Sequence, residues 1–293
     1  MHKKKDLILF KESALIACEG ALSLLQRKLY NALLFYARQT YFYKDKNYWD
    51  ANGYDGMDES NNFRNYAGLR ENNFEINIKD LVELTGSREI NEKDLEKNLD
   101  DLVGKKVEVN ILKKDKNEEW IEETLFVLLP RITKIKRLWG KNKVLEKINY
   151  SIPDIIFDVI SQSLQKNLWF GKIDMEVQKT FRSKYSITLY EFLSDYRSAM
   201  KVPALTIKQI RKLFGLAEKY RFNDIRKRCI EPAVNEINEN KNIPFKINFK
   251  IKKEKKPLIL IQFFTKNLEK MSQNLEKMSQ NLEKMSQNLE KMS

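Results

Sequence analysis

Arg221, Asn223, Lys227 and Arg228 fall within one short stretch of the chain. A guanidinium offers a fork of donors that matches two acceptors at once, a carboxamide donates and accepts side by side, and an ammonium seats against an anion. Such groups suit the edge of a guanine, the edge of an adenine and a phosphate, in that order. They lie in Tyr220 to Asn238, where Phe222, Ile225, Cys229, Ala233 and Ile237 recur at helical spacing while Lys227, Arg228, Glu231 and Asn235 fall on the other side. The stretch therefore predicts an amphipathic helix with cations near its start. Pro232 predicts a kink, and Arg226 falls nearer the apolar side than Lys227 and Arg228 do.

Other chemistries find little support. His2 is the only histidine, and Cys18 and Cys229 are the only cysteines, so the chain has no zinc-type cluster, no disulfide framework and no positioned imidazole for a nucleophilic triad. None of the 9 glycines forms a phosphate-cradling G-x-x-x-x-G-K-[ST] loop, and the 12 tyrosines lack the paired histidines that a metal-dependent nicking tyrosine needs. The expectation is a protein without catalytic residues, metal or cofactor. No apolar run approaches the roughly 20 residues of a membrane span, and Leu7 to Phe10 is too short for the core of a signal peptide, which reads as a cytoplasmic protein with no membrane partner.

The charge is unevenly placed. Residues 1–170 carry 28 Lys+Arg against 27 Asp+Glu, and residues 171–264 carry 21 against 10. An excess concentrated in one segment is expected where that segment lies on a polyanion.

The elements that must hold these groups follow from the patterning. The chain of 293 residues is long enough for two domains. Ala14 to Tyr43 predicts a core helix or helix pair, and Lys44 to Asn73, with Asn-Gly and Asp-Gly steps, an irregular insertion. The aromatics of that insertion, Tyr48, Trp49, Tyr54, Phe63 and Tyr66, suit stacking on single-stranded DNA, although packing against their own domain is the simpler reading. Phe74 to Ile78 predicts a strand, Lys79 to Leu84 a short helix closed by Thr85-Gly86, and Asn91 to Val103 a second helix. Lys105 to Leu112 and Ile121 to Ile132 predict strands joined by a polar loop, Lys113 to Trp120, suited to a wing. Leu138 to Lys147 reads as a basic connector, Ile148 to Ile152 as one more strand and Pro153 to Gln165 as a helix.

Beyond a boundary near Leu168 to Gly171 the order repeats: a long helix over Asp174 to Met200, a short helix over Thr206 to Leu216 with Thr206 as N-cap, the basic helix, and strands Phe245 to Lys252 and Pro257 to Phe264. The expected fold is α+β and helix-rich: two tandem winged-helix domains, 1–168 and 169–264, with a C-terminal heptad-repeat helical tail over 265–293.

The candidate DNA contacts of the second unit extend from the basic helix to Arg211, Lys212 and Lys219 before it and to Arg182 and Lys184 on the long helix. Lys252, Lys253, Lys255 and Lys256 add a cationic wing. In the first unit the second helix holds Glu92, Asp94, Glu96, Asp100 and Asp101 against Lys93 and Lys97, so only Arg88 and Asn91 at its start are placed to reach a groove. DNA contact and protein contact, including self-association, both remain open for this unit.

Ser183-Lys-Tyr185, Leu189-Tyr-Glu191, Leu213-Phe-Gly215 and Ile225 to Asn238 with its Ile-Glu-Pro-Ala-Val-Asn-Glu-Ile-Asn ending carry a resemblance. In order and spacing they resemble the second winged helix of the theta-type plasmid replication initiators, the Rep_3 family, and weaker similarity extends through residues 14–168. The resemblance implies a protein that binds tandem repeats (iterons) in double-stranded origin DNA, helps to melt adjacent AT-rich DNA into single strands, and recruits the host replication initiator and replicative helicase. It also implies a homodimer interface on the first winged helix and repression of the initiator's own promoter. A winged-helix transcriptional repressor without replication function is the alternative.

Asn267 to Ser293 is four copies of Asn-Leu-Glu-Lys-Met-Ser-Gln, the last without its Gln. Leu and Met at steps of three and four predict a weak coiled coil or a lone helix, because Ser and Asn at the flanking positions provide no ion pairs. If the codons also repeat, the gene end carries tandem units of about 21 base pairs, near two helical turns, so the peptide period can be a by-product of iteron-like DNA. An oligomeric scaffold built on this tail is a third class of function, and it requires the tail for activity.

Overall fold

The computed structural model describes residues 8–12, 22–52, 72–87, 89–115, 118–154, 156–157, 170–196, 202–253 and 259–267. The heptad tail beyond Asn267, the 53–71 part of the insertion, the helix expected after Phe157, Arg88, Lys255 and Lys256 lie outside the described residues.

In the first unit, α1 (Leu24–Asn52) packs against α2 (Ile78–Thr85) and α3 (Glu92–Leu102). A three-stranded antiparallel sheet closes that core: β2 (Asn73–Asn77), β5 (Arg131–Trp139) and β6 (Asn142–Ser151), in the order β2-β6-β5. A separate hairpin, β3 (Lys106–Asp115) and β4 (Glu118–Val127), lies between α3 and β5. The chain start returns through β1 (Ile8–Glu12), which pairs antiparallel with β7 (Phe170–Asp174).

The second unit comprises α4 (Met175–Thr180), α5 (Lys184–Asp195), β8 (Leu205–Thr206), α6 (Ile207–Phe214), a three-part helix, β9 (Phe245–Lys253) and β10 (Ile259–Asn267). The three-part helix is α7 (Phe222–Ile225), a π-helical turn (Arg226–Ile230) and α8 (Glu231–Glu239). Its sheet order, β8-β10-β9, again places the last strand in the middle. Strand, two helices and a hairpin whose second strand pairs with the first strand is the winged-helix plan, and the chain carries it twice.

Four expectations change. The insertion does not begin at Lys44, because α1 continues to Asn52; Lys44 to Asn52 is polar but holds neither Gly nor Pro, and the first breaker is Gly53. The long helix over Asp174 to Met200 is two helices: Asp174 caps α4, the Ser183 hydroxyl caps α5 by accepting from the Tyr185 N–H at 3.1 Å, and Phe181 between them is buried against Tyr190. The apolar spacing passes through this break because Phe181 in the connection also faces inward.

The expected strand Ile121 to Ile132 ends at Val127, where the buried Leu128 and Leu129 turn the chain and Pro130 has no N–H to give a ladder. The wing of the first unit is then not Lys113 to Trp120 but the β5–β6 hairpin, since β6 is the strand that pairs with β2. What reads as a basic connector forms the ends of this hairpin. Trp139 pairs with Asn142 across a two-residue turn that opens with Gly140 at φ 59°, a conformation open to glycine at little cost.

A buried polar network joins α1 to α4 and α5. Arg27 Nη1 donates to Glu191 Oε2 at 2.6 Å, and Asn31 Nδ2 donates to Glu191 Oε1 at 2.7 Å and to Gln178 Oε1 at 2.6 Å. Lys28 Nζ donates to the Lys179 carbonyl at 3.0 Å, and burial lowers its pKa, opposed by the charge of Glu236. Glu191 of the Leu-Tyr-Glu motif is thus a structural anion, compensated where water is absent.

Candidate nucleic-acid interface

The basic helix is presented by the elements around it. Thr206 and Gln209 form a reciprocal capping box at the start of α6: the Thr206 hydroxyl accepts from the Gln209 N–H at 3.2 Å, and Gln209 Oε1 accepts from the Thr206 N–H at 2.8 Å. From the last turn of α6, Arg211 donates to the Tyr220 carbonyl at 2.7 Å, which fixes the turn leading into α7. Asn238, at the far end, pairs its amide with the backbone of Ile247 on β9 in both directions, at 2.8 Å each. The helix is therefore held at both ends, against its neighbour helix and against the sheet.

Ile225, Cys229, Ile230, Ala233, Val234 and Ile237 form its buried stripe against α5 and the sheet. Arg221, Asn223, Lys227 and Arg228 are all exposed, with Arg228 77 % exposed in its side chain. The π-helical turn holds Lys227 and Arg228 outward as an adjacent pair while Cys229 and Ile230 both point inward. This wider turn directly precedes Pro232, whose ring would crowd the carbonyl of Arg228 in a regular helix, so the strain expected as a kink is taken up as a bulge.

The remaining candidates separate by partner. Arg226 is half-buried, with Nε 3.2 Å from Glu231, as its helical angle suggested. Lys184 is half-buried over the Tyr185 ring at 5.1 Å; burial lowers its pKa. Burial next to Cys229 pushes the Tyr185 hydroxyl up to about 12. Arg211 is committed to Tyr220. Lys212 and Lys219 are exposed beside the helix, Arg182 is exposed at the start of α5, and Lys252 is exposed on β9. Lys253 is placed at the end of β9, and its side chain lies outside the described residues.

Lys250 and Tyr220 are exposed as well. Along β9, Phe245, Ile247, Phe249 and Ile251 turn inward, so Lys250 alternates outward with Lys252 and sits 5.6 Å over the partly exposed Phe264 ring. That period of two was readable. Tyr220 is 39 % exposed and precedes Arg221.

In the first unit Asn91 is the N-cap of α3, accepting from the Asp94 N–H at 2.8 Å and donating to the Asp94 carboxylate at 2.6 Å. The acidity of α3 has internal partners. Glu96 meets Lys136 at 2.7 Å and Lys134 at 3.2 Å, and Asp100 meets Lys134 at 2.7 Å. The hydrogen bond from Lys136 leads the effects that hold the Glu96 carboxyl below its usual range. Glu92 accepts the Leu145 N–H at 3.1 Å and Asp101 accepts from Gln26 at 3.2 Å. No group of three or more His, Cys, Asp or Glu placed to hold a metal occurs among the described residues.

Residues 8–194 match the family described as Initiator Replication protein, WH1, and residues 206–264 match Initiator Rep protein, WH2. The chain belongs to the initiator Rep protein family. It is thereby a DNA-binding protein of replication initiation; the first match covers the first unit and continues through β7, α4 and α5, and the second spans α6, the three-part helix and most of the β9–β10 hairpin. Among solved structures, a selenomethionine derivative of domain 2 and domain 3 of RctB is similar at 13 % identity over 69 % of this chain and 76 % of that one, with a TM-score of 0.45. A structure of RctB domains 2–3 is similar at 12 % identity over 67 % and 76 %, with a TM-score of 0.38. No curated protein matches the chain. No helix among the described residues is long and apolar enough to cross a membrane.

Proposed function

We propose that the protein starts plasmid replication by binding tandem short repeats in origin DNA through its second winged helix, taken as residues 169–264. The observation that carries this reading is the outward face of the three-part helix. Arg221, Asn223, Lys227 and Arg228 crowd its first half, while Glu231 and Glu236 are occupied by Arg226 and by the backbone N–H of Arg182. A recognition helix enters the major groove with its N-terminal residues on base edges, where Arg fits guanine and Asn fits adenine. Lys212, Lys219 and Arg182 then lie on the flanking phosphates, and Lys252 on β9 faces the adjacent backbone.

Family membership supports the remainder of the proposal: the bound protein promotes melting of AT-rich DNA, recruits the host initiator and replicative helicase, and as a dimer represses its own promoter. The repeated end of the gene is itself a candidate for iteron-like DNA.

Footprinting across the DNA that flanks and includes the gene tests this reading. The expected pattern is a series of protected blocks recurring at multiples of about 10–10.5 base pairs. A single protected block at the promoter, with flanking DNA that cannot sustain a plasmid, would instead identify a repressor.

A further inference from the structure

The wing of the first unit carries a surface that duplex reading by the second unit does not use. At the end of β5, Leu138 is 69 % exposed and Trp139 75 % exposed, with Val144 partly exposed opposite. Cross-strand pairing puts Arg137 and Val144 on one face with Trp139 and Asn142, because paired residues and every second residue share a side. This face and the first turn of α2 enclose a groove of about 480 Å³ lined by Ile78, Lys79, Trp139, Val144, Leu145 and the Arg137–Glu146 pair.

Charge decides what fits. Residues 131–147 hold seven Lys+Arg against the single Glu146. Lys134 and Lys136 are spent on α3, Lys147 on Glu75, and Arg131 on Asn73. Lys141, in the turn beside Trp139, and Lys79, on the first turn of α2, are exposed and have no ion pair among the described residues. An indole beside an apolar floor, rimmed by lysines, is matched by a flat aromatic group on an anionic backbone. An intact duplex offers no free base face, and α3, with five acids against two lysines, gives this unit no cationic helix for a major groove.

We propose that the β5–β6 wing is a binding site for single-stranded DNA, in which an unpaired base stacks on Trp139 over Val144 and Ile78 while Lys79 and Lys141 hold the flanking phosphates. The proposal rests on the reading of the chain as a DNA-binding initiator and assigns the first unit a ligand distinct from the iteron duplex. Melted origin DNA then has a place to be held while the second unit keeps the duplex.

The test uses the full chain, a thymidine homo-oligomer of roughly 16 nucleotides and a duplex from the flanking DNA, with binding followed by anisotropy. Trp139→Ala should weaken the single strand by about 5- to 100-fold and leave the duplex unchanged. Trp139→Phe should recover most of the loss, and Lys79→Ala/Lys141→Ala should flatten the salt dependence for the single strand alone. Unchanged single-strand affinity in Trp139→Ala overturns the proposal, as does an equal loss on both probes. If the wild-type chain binds the single strand through Trp139 but no duplex, the iteron reading fails while this site stands.

Discussion

Replacing Glu191 by Gln removes a charge from the polar network between α1 and α5 while keeping the side chain's shape. Arg27 and Glu191 are both fully buried, and their 2.6 Å contact is supported by the Asn31 amide at 2.7 Å. In Glu191→Gln a single carbonyl oxygen replaces two acceptors, so the new NH2 faces either the Arg27 guanidinium or the Asn31 NH2, donor against donor. Removing one partner of a buried pair costs about 3–5 kcal/mol, because the remaining charge stays desolvated. A net stability of 5–15 kcal/mol is typical of a folded protein, so the loss is a large fraction of the total. Urea unfolding, followed by both far-UV circular dichroism and tryptophan emission to establish a single transition, gives the change from the midpoint shift. The double variant Arg27→Met/Glu191→Leu removes both charges and should return to within about 2 kcal/mol of wild type. A cost below about 1 kcal/mol for Glu191→Gln, or a double variant as unstable as the two single changes combined, would refute the network as the coupling between the two units.

Three further outcomes follow from the geometry. Lys227→Ala/Arg228→Ala should weaken duplex binding by about 1–3 kcal/mol per lost base contact and make the salt slope shallower by about 0.9 per lost phosphate contact, measured by titration at several salt concentrations. An unchanged affinity and slope would remove these two residues from the interface. Gly86 has φ 69° at the end of α2, and a Cβ there would lie 2.6 Å from Lys179 Cβ and 3.1 Å from its Cα. Gly86→Ala should therefore cost roughly 2–4 kcal/mol in urea unfolding, against about 1–2 for Gly104→Ala, whose φ is 74° but whose Cβ meets nothing within 4 Å. Because Lys136 and Lys134 depress the Glu96 carboxyl, the stability it contributes is complete above the ordinary carboxylate range and drains as pH falls through the lower folded value. Lys136→Ala should flatten that part of the acid side of a stability–pH profile, and an unchanged acid side would show that the pair contributes nothing.

Helix ends were readable because their signals are local. Asn91, Thr206 and Gly86 mark their boundaries by backbone chemistry within a few residues, and the structure places a cap at each. The β5–β6 wing carries no such signal because Lys136 to Lys143 exposes both faces near its tip, leaving no alternation between apolar and polar residues. The break before Ser183 was hidden because Phe181 stays buried through it.

The sequence by itself determined the second unit: a buried stripe in one helix, cations at its first turns, and a net excess of charge confined to residues 171–264. These are properties of neighbours along the chain, and periodicity reports them. The tertiary structure alone decided which charges are free. The acids of α3 read as a surface hostile to DNA, yet Glu96 and Asp100 meet Lys134 and Lys136 on β5, and the anion of Leu-Tyr-Glu is consumed by Arg27, 164 residues away. A charge acts on the partner nearest in space, and that distance is set by the fold.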